Sequence, residues 1–268
     1  MHSPGLEPIE HVFVVVLENA DASVAEKLPF FSRLAAHGAR LARYYSITHP
    51  SQPNYIAMTA GTTWSVTNTI VTLNVAHLGD LLENANRTWR VYAENYPGNC
   101  YLGTSTPDQL YVRRHVPFIS FANVQKNPAR CASHIVNATA LDADVAAGTL
   151  PSYALYIPNN RHNGHDTSAN LADAWLESRF GPLLKDIRFT RNTLFIVTYD
   201  ESAPGNENLR VAMVLWGAGV RPGVSMQRYD HYSLLRTIEE LFGTGTLGQR
   251  DARAEPIRDV LTSPALQH

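Results

Sequence analysis

Ser51 lies in the run Thr48-His49-Pro50-Ser51-Gln52-Pro53-Asn54-Tyr55, between a β-rich stretch at 41–45 and an expected helix over 54–60. A hydroxyl there stands at a helix N-terminus, where free backbone N–H groups and the positive end of the dipole favour an anion. That position suits a nucleophile attacking phosphorus. The plainer reading of Ser51 is a helix N-cap. Other oxygen-bearing side chains follow directly on apolar runs: Glu18-Asn19 after 12–17, Glu94-Asn95 after 89–93, Asn159 after 153–157, and Asp200-Glu201 after 193–198. In open α/β sheets ligands bind beyond the carboxyl ends of the strands, so these distant segments are expected to meet at one crevice. Glu18, Asp200 and Glu201 can then offer anionic oxygens, and Asn19 a neutral one, to a divalent cation. Such an ion lowers the pKa of a coordinated hydroxyl, here Ser51, and offsets the charge of an attacked phosphate. Taken singly, each pair also reads as a solvated turn at a strand exit.

The histidines divide by context. His165 and Asp166 close the polar segment 159–166 and read either as contacts to a metal or phosphate or as part of a polar surface loop, while His162 reads as solvated. His231 stands just before the last helical pattern and either reaches the site or helps to start that helix. His115 lies between the two cysteines, where it can touch a leaving-group oxygen or serve local packing. His11, His37, His77 and His134 have no evident partners and read as structural or solvated. Glu94-Asn95, at a neighbouring strand end, is left open, with shaping of the substrate pocket as its alternative reading.

The elements that must position these groups alternate. The continuous apolar, β-branched run at 12–17 reads as a buried strand, and strands are also expected at 41–45, 89–93, 153–157, 193–198 and 211–216. Helical spacing appears at 28–37, 54–60, 75–84, 141–147, 168–184 and 233–242. Strands alternating with helices predict an α/β fold with a mostly parallel central sheet covered by helices on both faces. No repeat or linker divides the 268 residues, so one domain over 1–268 is expected, with an irregular, cap-like segment at about 95–135.

A 44% hydrophobic content supplies a large core, and a net charge of −2 argues against broad attraction to nucleic acid or anionic membranes. No apolar run approaches the roughly 20 residues of a membrane span, so no stable anchoring is expected. Residues 1–20 carry no basic, apolar secretion signal; the chain reads either as cytoplasmic or as the mature form of a secreted or periplasmic protein. Cys100 and Cys131 fit neither a zinc knuckle nor a redox pair. As a disulfide they would contribute roughly 3–4 kcal/mol in the chain-entropy model; as free thiols they would be small buried hydrophobes. The irregular stretch between them favours the bridge. Asn86-Arg-Thr and Asn137-Ala-Thr match glycosylation sequons, a common pattern.

Six segments resemble, in order, the phosphoesterase family of bacterial phospholipases C and related acid phosphatases, within the alkaline phosphatase superfamily. They are Leu17-Glu18-Asn19, the Thr48–Tyr55 run, His115-Val116-Pro117-Phe118, Ile157-Pro158-Asn159 with His165-Asp166, Thr198-Tyr199-Asp200-Glu201, and His231-Tyr232-Ser233 with its continuation to Glu239. The resemblance implies an alkaline-phosphatase-like fold and Ser51 as a nucleophile that forms a phospho-enzyme hydrolysed by water. It implies a divalent metal held by Glu18, Asn19, Ser51, Asp200 and Glu201, with Asn54, His165 and His115 at the phosphoryl or leaving-group oxygens. Asp166, His231 and Asn159 fall at or near the same pocket, as a second metal or phosphate contact. Oxygen ligands suit Mg²⁺, Ca²⁺ or Mn²⁺, and nearby histidines admit Zn²⁺ or Fe.

The chain departs from the phospholipase branch, which usually continues its Glu-Asn with an aromatic and an Asp; here Asn19 is followed by Ala20-Asp21-Ala22-Ser23. A metal-dependent, acid-phosphatase-like ester hydrolase is therefore the first expectation, and a phosphodiesterase or phospholipase C on the same scaffold the second. A sulfatase ranks lower, since Tyr55 replaces the arginine of Ser-x-Pro-x-Arg. A non-catalytic binding protein on the scaffold is the remaining alternative.

Overall fold

A computed structural model describes residues 8–266; the ends of the domain expected over 1–268 lie outside the described residues. The strands, in chain order, are β1 (His11–Leu17), β2 (Ala39–Tyr45), β3 (Trp89–Ala93), β4 (Ile135–Asn137), β5 (Tyr153–Ile157), β6 (Thr193–Tyr199), β7 (Met213–Gly217) and β8 (Gly223–Asp230). They form one eight-stranded sheet in the order β4-β3-β5-β1-β6-β7-β2-β8. Every neighbouring pair is parallel except those made by β7, which runs antiparallel to β6 and β2.

The continuous apolar runs explain the central strands. Side chains alternate across a sheet, so a strand buried at every position must be covered on both faces. β5 and β6 are buried throughout, and β1 from Val12 onward. Phe13, in the middle of β1, meets the rings of Tyr92, Tyr156, Phe180, Phe189 and Phe195. The helix Pro29–His37 packs on β7 and on the helix Ala169–Phe180; the helix Ser51–Ala60 packs on the helix His231–Phe242. The carboxylate of buried Asp173 accepts the N–H groups of Phe30 and Phe31, both at 2.9 Å, satisfying donors that the start of the helix Pro29–His37 leaves free.

Several boundaries differ from expectation. The helix expected over 54–60 begins at Ser51, because Pro53 sits in its first turn, where a missing N–H costs nothing. The pattern at 75–84 becomes a helix only from Leu78, where His77 caps it by accepting the Gly79 N–H. The helical pattern at 168–184 ends at Phe180, followed by a separate turn at Leu183–Lys185. The last helix begins at His231 rather than 233. β4 and β8 had no sequence signal: β4 has three residues, and β8 is an edge strand with most positions exposed. Cys100 and Cys131 are joined, and Cys131 lies within the short helix Pro128–His134. The segment 95–135 is thus less irregular than expected, with short helical turns at Arg113–His115, Pro117–Ser120 and Ala122–Gln125, the first two resting on the helix Ser51–Ala60.

Candidate functional site

Ser51 is the first residue of a helix in which all ten residues are buried. Pro50 occupies the cap position, and no side chain caps this end, so Ser51 is not the N-cap that the plainer reading suggested. The approach is rigidly held. The His49–Pro50 peptide is cis. Asn54 Oδ1 accepts the N–H groups of Ile47 and Thr48 (2.9 and 3.1 Å), and its Nδ2 donates to the carbonyls of Thr48 and Pro50 (2.8 and 3.2 Å). Gln52 is tied to Asn68 and Thr69. At the far end Gly61 closes the helix at φ 70, a backbone suited to glycine, and a Cβ there would lie 2.2 Å from Asp251 Oδ1.

The Ser51 hydroxyl faces carboxylates from two strands. Its Oγ lies 3.2 Å from Glu18 Oε2, beyond β1, and 3.0 Å from Glu201 Oε1, beyond β6. Tyr55, four residues on and hence on the same helix face, donates to Glu18 Oε1 at 2.6 Å. His115 Nε2 is 3.3 Å from that same oxygen, and its ring stacks on Tyr55. Asp200 completes the group: its Oδ1 accepts the Asn19 N–H at 3.3 Å. Burial drives the Glu18 carboxyl up to about 7, with the Glu201 charge adding to the effect against the Tyr55 bond. Burial, then the charges of Glu18 and Glu201, push Asp200 well above the usual carboxylate range. Burial, then Arg114 and His165, hold His115 well below the usual imidazole range, so its ring is neutral.

These oxygens fit a cation. Asn19 Oδ1 and Asp200 Oδ2 are buried with no hydrogen-bond partner, a state that costs roughly 1–3 kcal/mol per group unless a ligand relieves it. Buried carboxylates crowded together repel one another, and hard oxygen donors are what a divalent ion requires. Among the described residues no three His, Cys, Asp or Glu side chains already close into a metal cage. The set here mixes carboxylates with the Asn19 amide and the Ser51 hydroxyl, and Glu201 gives its second oxygen to His49.

The other expected residues are distributed around this centre. His165 stands beside His115, with ring centroids 5.9 Å apart; its Nε2 is 3.4 Å from Arg114 Nη2 and its Nδ1 2.7 Å from Asp166 Oδ1. Asp166 is on the rim, with its side chain 45% exposed. Asn54, expected at phosphoryl oxygens, instead uses all its hydrogen-bonding capacity in the loop before Ser51. His231, read either as reaching the site or as starting the last helix, is the first residue of that helix and is buried with both nitrogens engaged: Nε2 donates to the Asp200 carbonyl at 2.6 Å and Nδ1 accepts from Tyr44 OH at 2.9 Å. It supports Asp200 from behind, and burial lowers its pKa to about 4. Asn159 lies in a separate cleft, bonded to Asn95 and to the N–H groups of Arg161 and His162. His162, read as solvated, pairs with Glu94 at 2.6 Å and stacks on Trp175.

Three residues escaped the sequence reading. His49 Nδ1 is 2.6 Å from Glu201 Oε2 and its Nε2 is 3.1 Å from the Asn206 carbonyl, so the imidazole fixes Glu201 from outside. Nothing in the spacing links His49 to a partner 152 positions away. Arg114, whose Nε is buried without a partner, faces His165. Tyr55 could have been found, because the i, i+4 rule puts it on the face of Ser51.

Comparisons with known proteins speak to the family and the fold. The model of the Phosphoesterase family matches residues 22–245. The chain is 32% identical to a probable acid phosphatase from Kluyveromyces lactis over 92% of its own length and 62% of that protein's. It is also 32% identical to a phosphatidylinositol-3-phosphatase from Mycobacterium tuberculosis, over 95% of its own length and 84% of that protein's. The chain thus spans under two thirds of the yeast relative. Among solved structures, a protein of the alkaline phosphatase superfamily from Vibrio parahaemolyticus superimposes with a TM-score of 0.64 at 14% identity, covering 96% of this chain and 72% of that one. This likeness speaks for the fold alone. With its six ordered segments inside the matched span or adjoining it, and with this sheet, the chain belongs to the phosphoesterase family on an alkaline-phosphatase-like fold.

Proposed function

We propose that the protein is a metal-dependent phosphoric monoester hydrolase of the acid-phosphatase kind, working through Ser51. The observation that carries this reading is the Ser51 oxygen between Glu18 and Glu201, beside the unpartnered oxygens of Asn19 and Asp200. Glu18, Asn19, Asp200 and Glu201, with Ser51, would hold the metal. When bound, a divalent ion there would lower the pKa of the serine hydroxyl and offset charge on the phosphate. Mg²⁺, Ca²⁺, Mn²⁺ and Zn²⁺ all suit the donors.

The chain's own residues account for the remaining steps. The Ser51 hydroxyl gives its proton to an adjoining carboxylate as its oxygen bonds to phosphorus, and the bond from phosphorus to the leaving oxygen breaks. His49 fixes Glu201, Tyr55 fixes Glu18, and the helix holds Oγ in place before substrate arrives, so little ordering is left for the reaction itself. Arg114 and His165 would supply donors to charge on the phosphoryl oxygens, and the neutral His115 ring would serve the leaving group. Water then attacks the phosphoserine, releasing phosphate and restoring the hydroxyl.

The names of the relatives support a phosphomonoester, and none of the groups described favours a diester. The disulfide suits an oxidising compartment, which supports a secreted or periplasmic site of action. Among the described residues no helix is long and apolar enough to cross a membrane. Hydrolysis of a chromogenic phosphomonoester tests the reading: turnover should disappear on chelation and in Ser51→Ala. Undiminished turnover in Ser51→Ala would contradict it. Parallel assays on a bis-ester and on phosphatidylcholine separate the diesterase alternative.

A further inference from the structure

Two buried acids lie outside both strand-end clefts. Glu239, in the helix His231–Phe242, and Asp251, at the start of the turn Asp251–Arg253, are 1% and 0% exposed where that helix packs on the turn. Asp251 is surrounded as an ionised carboxylate is: its Oδ2 accepts the Leu247 N–H at 2.7 Å and its Oδ1 the Gln249 N–H at 2.9 Å. Glu239 has no such support. Neither of its oxygens has a donor, and the Leu247 N–H that leans towards it is the one given to Asp251. What its carboxyl meets, side chain to side chain, is Asp251 itself. Two charged carboxylates in contact inside a protein repel and lose their hydration, whereas one neutral acid donates its O–H to the other. The donors decide which is which: Asp251 keeps the charge and Glu239 the proton. Burial, then the Asp251 charge, push the Glu239 carboxyl up to about 9.

The neighbouring charges are engaged elsewhere. Arg236, which faces Glu239 from its own helix, pairs with Glu240 at 2.8 Å. On the elements packed against this helix, Asp80 and Glu83 hold Arg130, Asp230 caps the helix, Tyr229 bonds Asp259 and Tyr55 bonds Glu18. Arg228 lies over the Tyr45 ring, and Arg253 is exposed. The acid pair joins the far ends of the two helices that bear on the site. Gly61, which ends the helix begun by Ser51, leaves the space that the Asp251 carboxylate fills, and its carbonyl accepts the Arg250 N–H at 2.9 Å. Glu239 stands near the end of the helix begun by His231, the residue behind Asp200, and its carbonyl accepts the Thr244 N–H at 3.0 Å. We propose that Glu239 and Asp251 share one proton, and that this bond is a pH-sensitive clamp fastening the segment 244–254 across the ends of both helices. It is independent of the reaction assigned to Ser51.

From the ordinary glutamate value of 4.5 up to about 9, the folded chain keeps a proton that the unfolded chain has released. Folding therefore weakens as pH rises across that range, by up to about tenfold in the folding equilibrium constant per pH unit from this group. Urea unfolding of wild type and Glu239→Gln at a series of pH values tests the clamp. The glutamine amide still donates to Asp251 and does not ionise. The variant should gain on wild type by about a hundredfold or more in the folding equilibrium constant between about pH 5 and 8, with turnover of a chromogenic monoester at the acid end unchanged. Asp251→Asn reaches the same end by another route, since its amide donates to an ionised Glu239; it too should flatten the pH dependence, and it serves as the test where the glutamine variant does not fold. Curves that stay parallel to wild type in either variant overturn the proposal. Added Ca²⁺ that stabilises wild type but not Glu239→Gln, with parallel pH curves, would mark a cation between the acids and overturn it equally.

Discussion

Glu18-Asn19 and Glu94-Asn95 are the same two residue types at the ends of two strands of one sheet, and both asparagines are left-handed, at φ 55 and 56. Their surroundings differ completely. Glu94 accepts the Tyr156 hydroxyl, the Asn159 N–H and His162, while Asn95 Oδ1 accepts from Asn159. Around Glu18, Asn19 Oδ1 and Asp200 Oδ2 are buried and unpaired, and three acids crowd one hydroxyl. The first pair ties β3 to the loop after β5; the second adjoins two buried oxygens that no protein group satisfies. A local conflict that the fold tolerates is a mark of use, and here the conflict surrounds Ser51 alone of the two clefts.

That contrast can be broken experimentally. The largest effect belongs to Ser51→Ala, expected to lower kcat on a chromogenic phosphomonoester by about 10³-fold or more. Next, Glu18→Gln should reduce turnover by on the order of 10²-fold while leaving the thermal midpoint unchanged or higher, since it removes a buried charge among like charges. Glu94→Gln should do the reverse, leaving turnover within a few-fold while lowering stability by roughly 1–3 kcal/mol in urea unfolding. If the two variants behave alike, the distinction between a satisfied and a frustrated pair fails. His49→Gln acts through Glu201 and should cost about 10-fold in kcat with KM little changed; an unchanged kcat would show that Glu201 needs no outside support.

The smallest effect on turnover, none, is expected at His77, which lies outside both clefts. Burial lowers its pKa from 6.5 to about 4. Between those values the unfolded chain binds a proton that the folded chain refuses, so stability falls as pH drops from 6.5 towards 4, by at most roughly 3 kcal/mol from this group. Urea unfolding of wild type and His77→Gln across that range should show a steeper loss in wild type; parallel curves would contradict it.

The parts legible in the sequence are those with local causes. β1, β5 and β6 announce themselves because burial on both faces demands unbroken apolar runs. The strand-end acids were legible because a charged pair directly after such a run has few structural uses. β8 was not: an edge strand with one sparse buried face carries no such run. The hydrogen bonds that occupy Asn54, and those that choose between the two readings of His231, are not legible because residue type and motif order do not reveal which atoms a loop or a neighbouring carbonyl has already claimed. His49 stayed hidden for the same reason in reverse, since its partner Glu201 is near only after the sheet has formed.

Oxygens at the ends of β1 and β6 are proposed to hold a cation against Ser51. Metal analysis by mass spectrometry on wild type, Glu18→Gln and Glu94→Gln, each reconstituted and desalted, tests it most directly. A stoichiometric divalent ion is expected in wild type and in Glu94→Gln, and its loss, together with the fall in turnover given above, in Glu18→Gln. A Glu18→Gln protein that keeps its metal, or a wild type that binds none while remaining active, would contradict it.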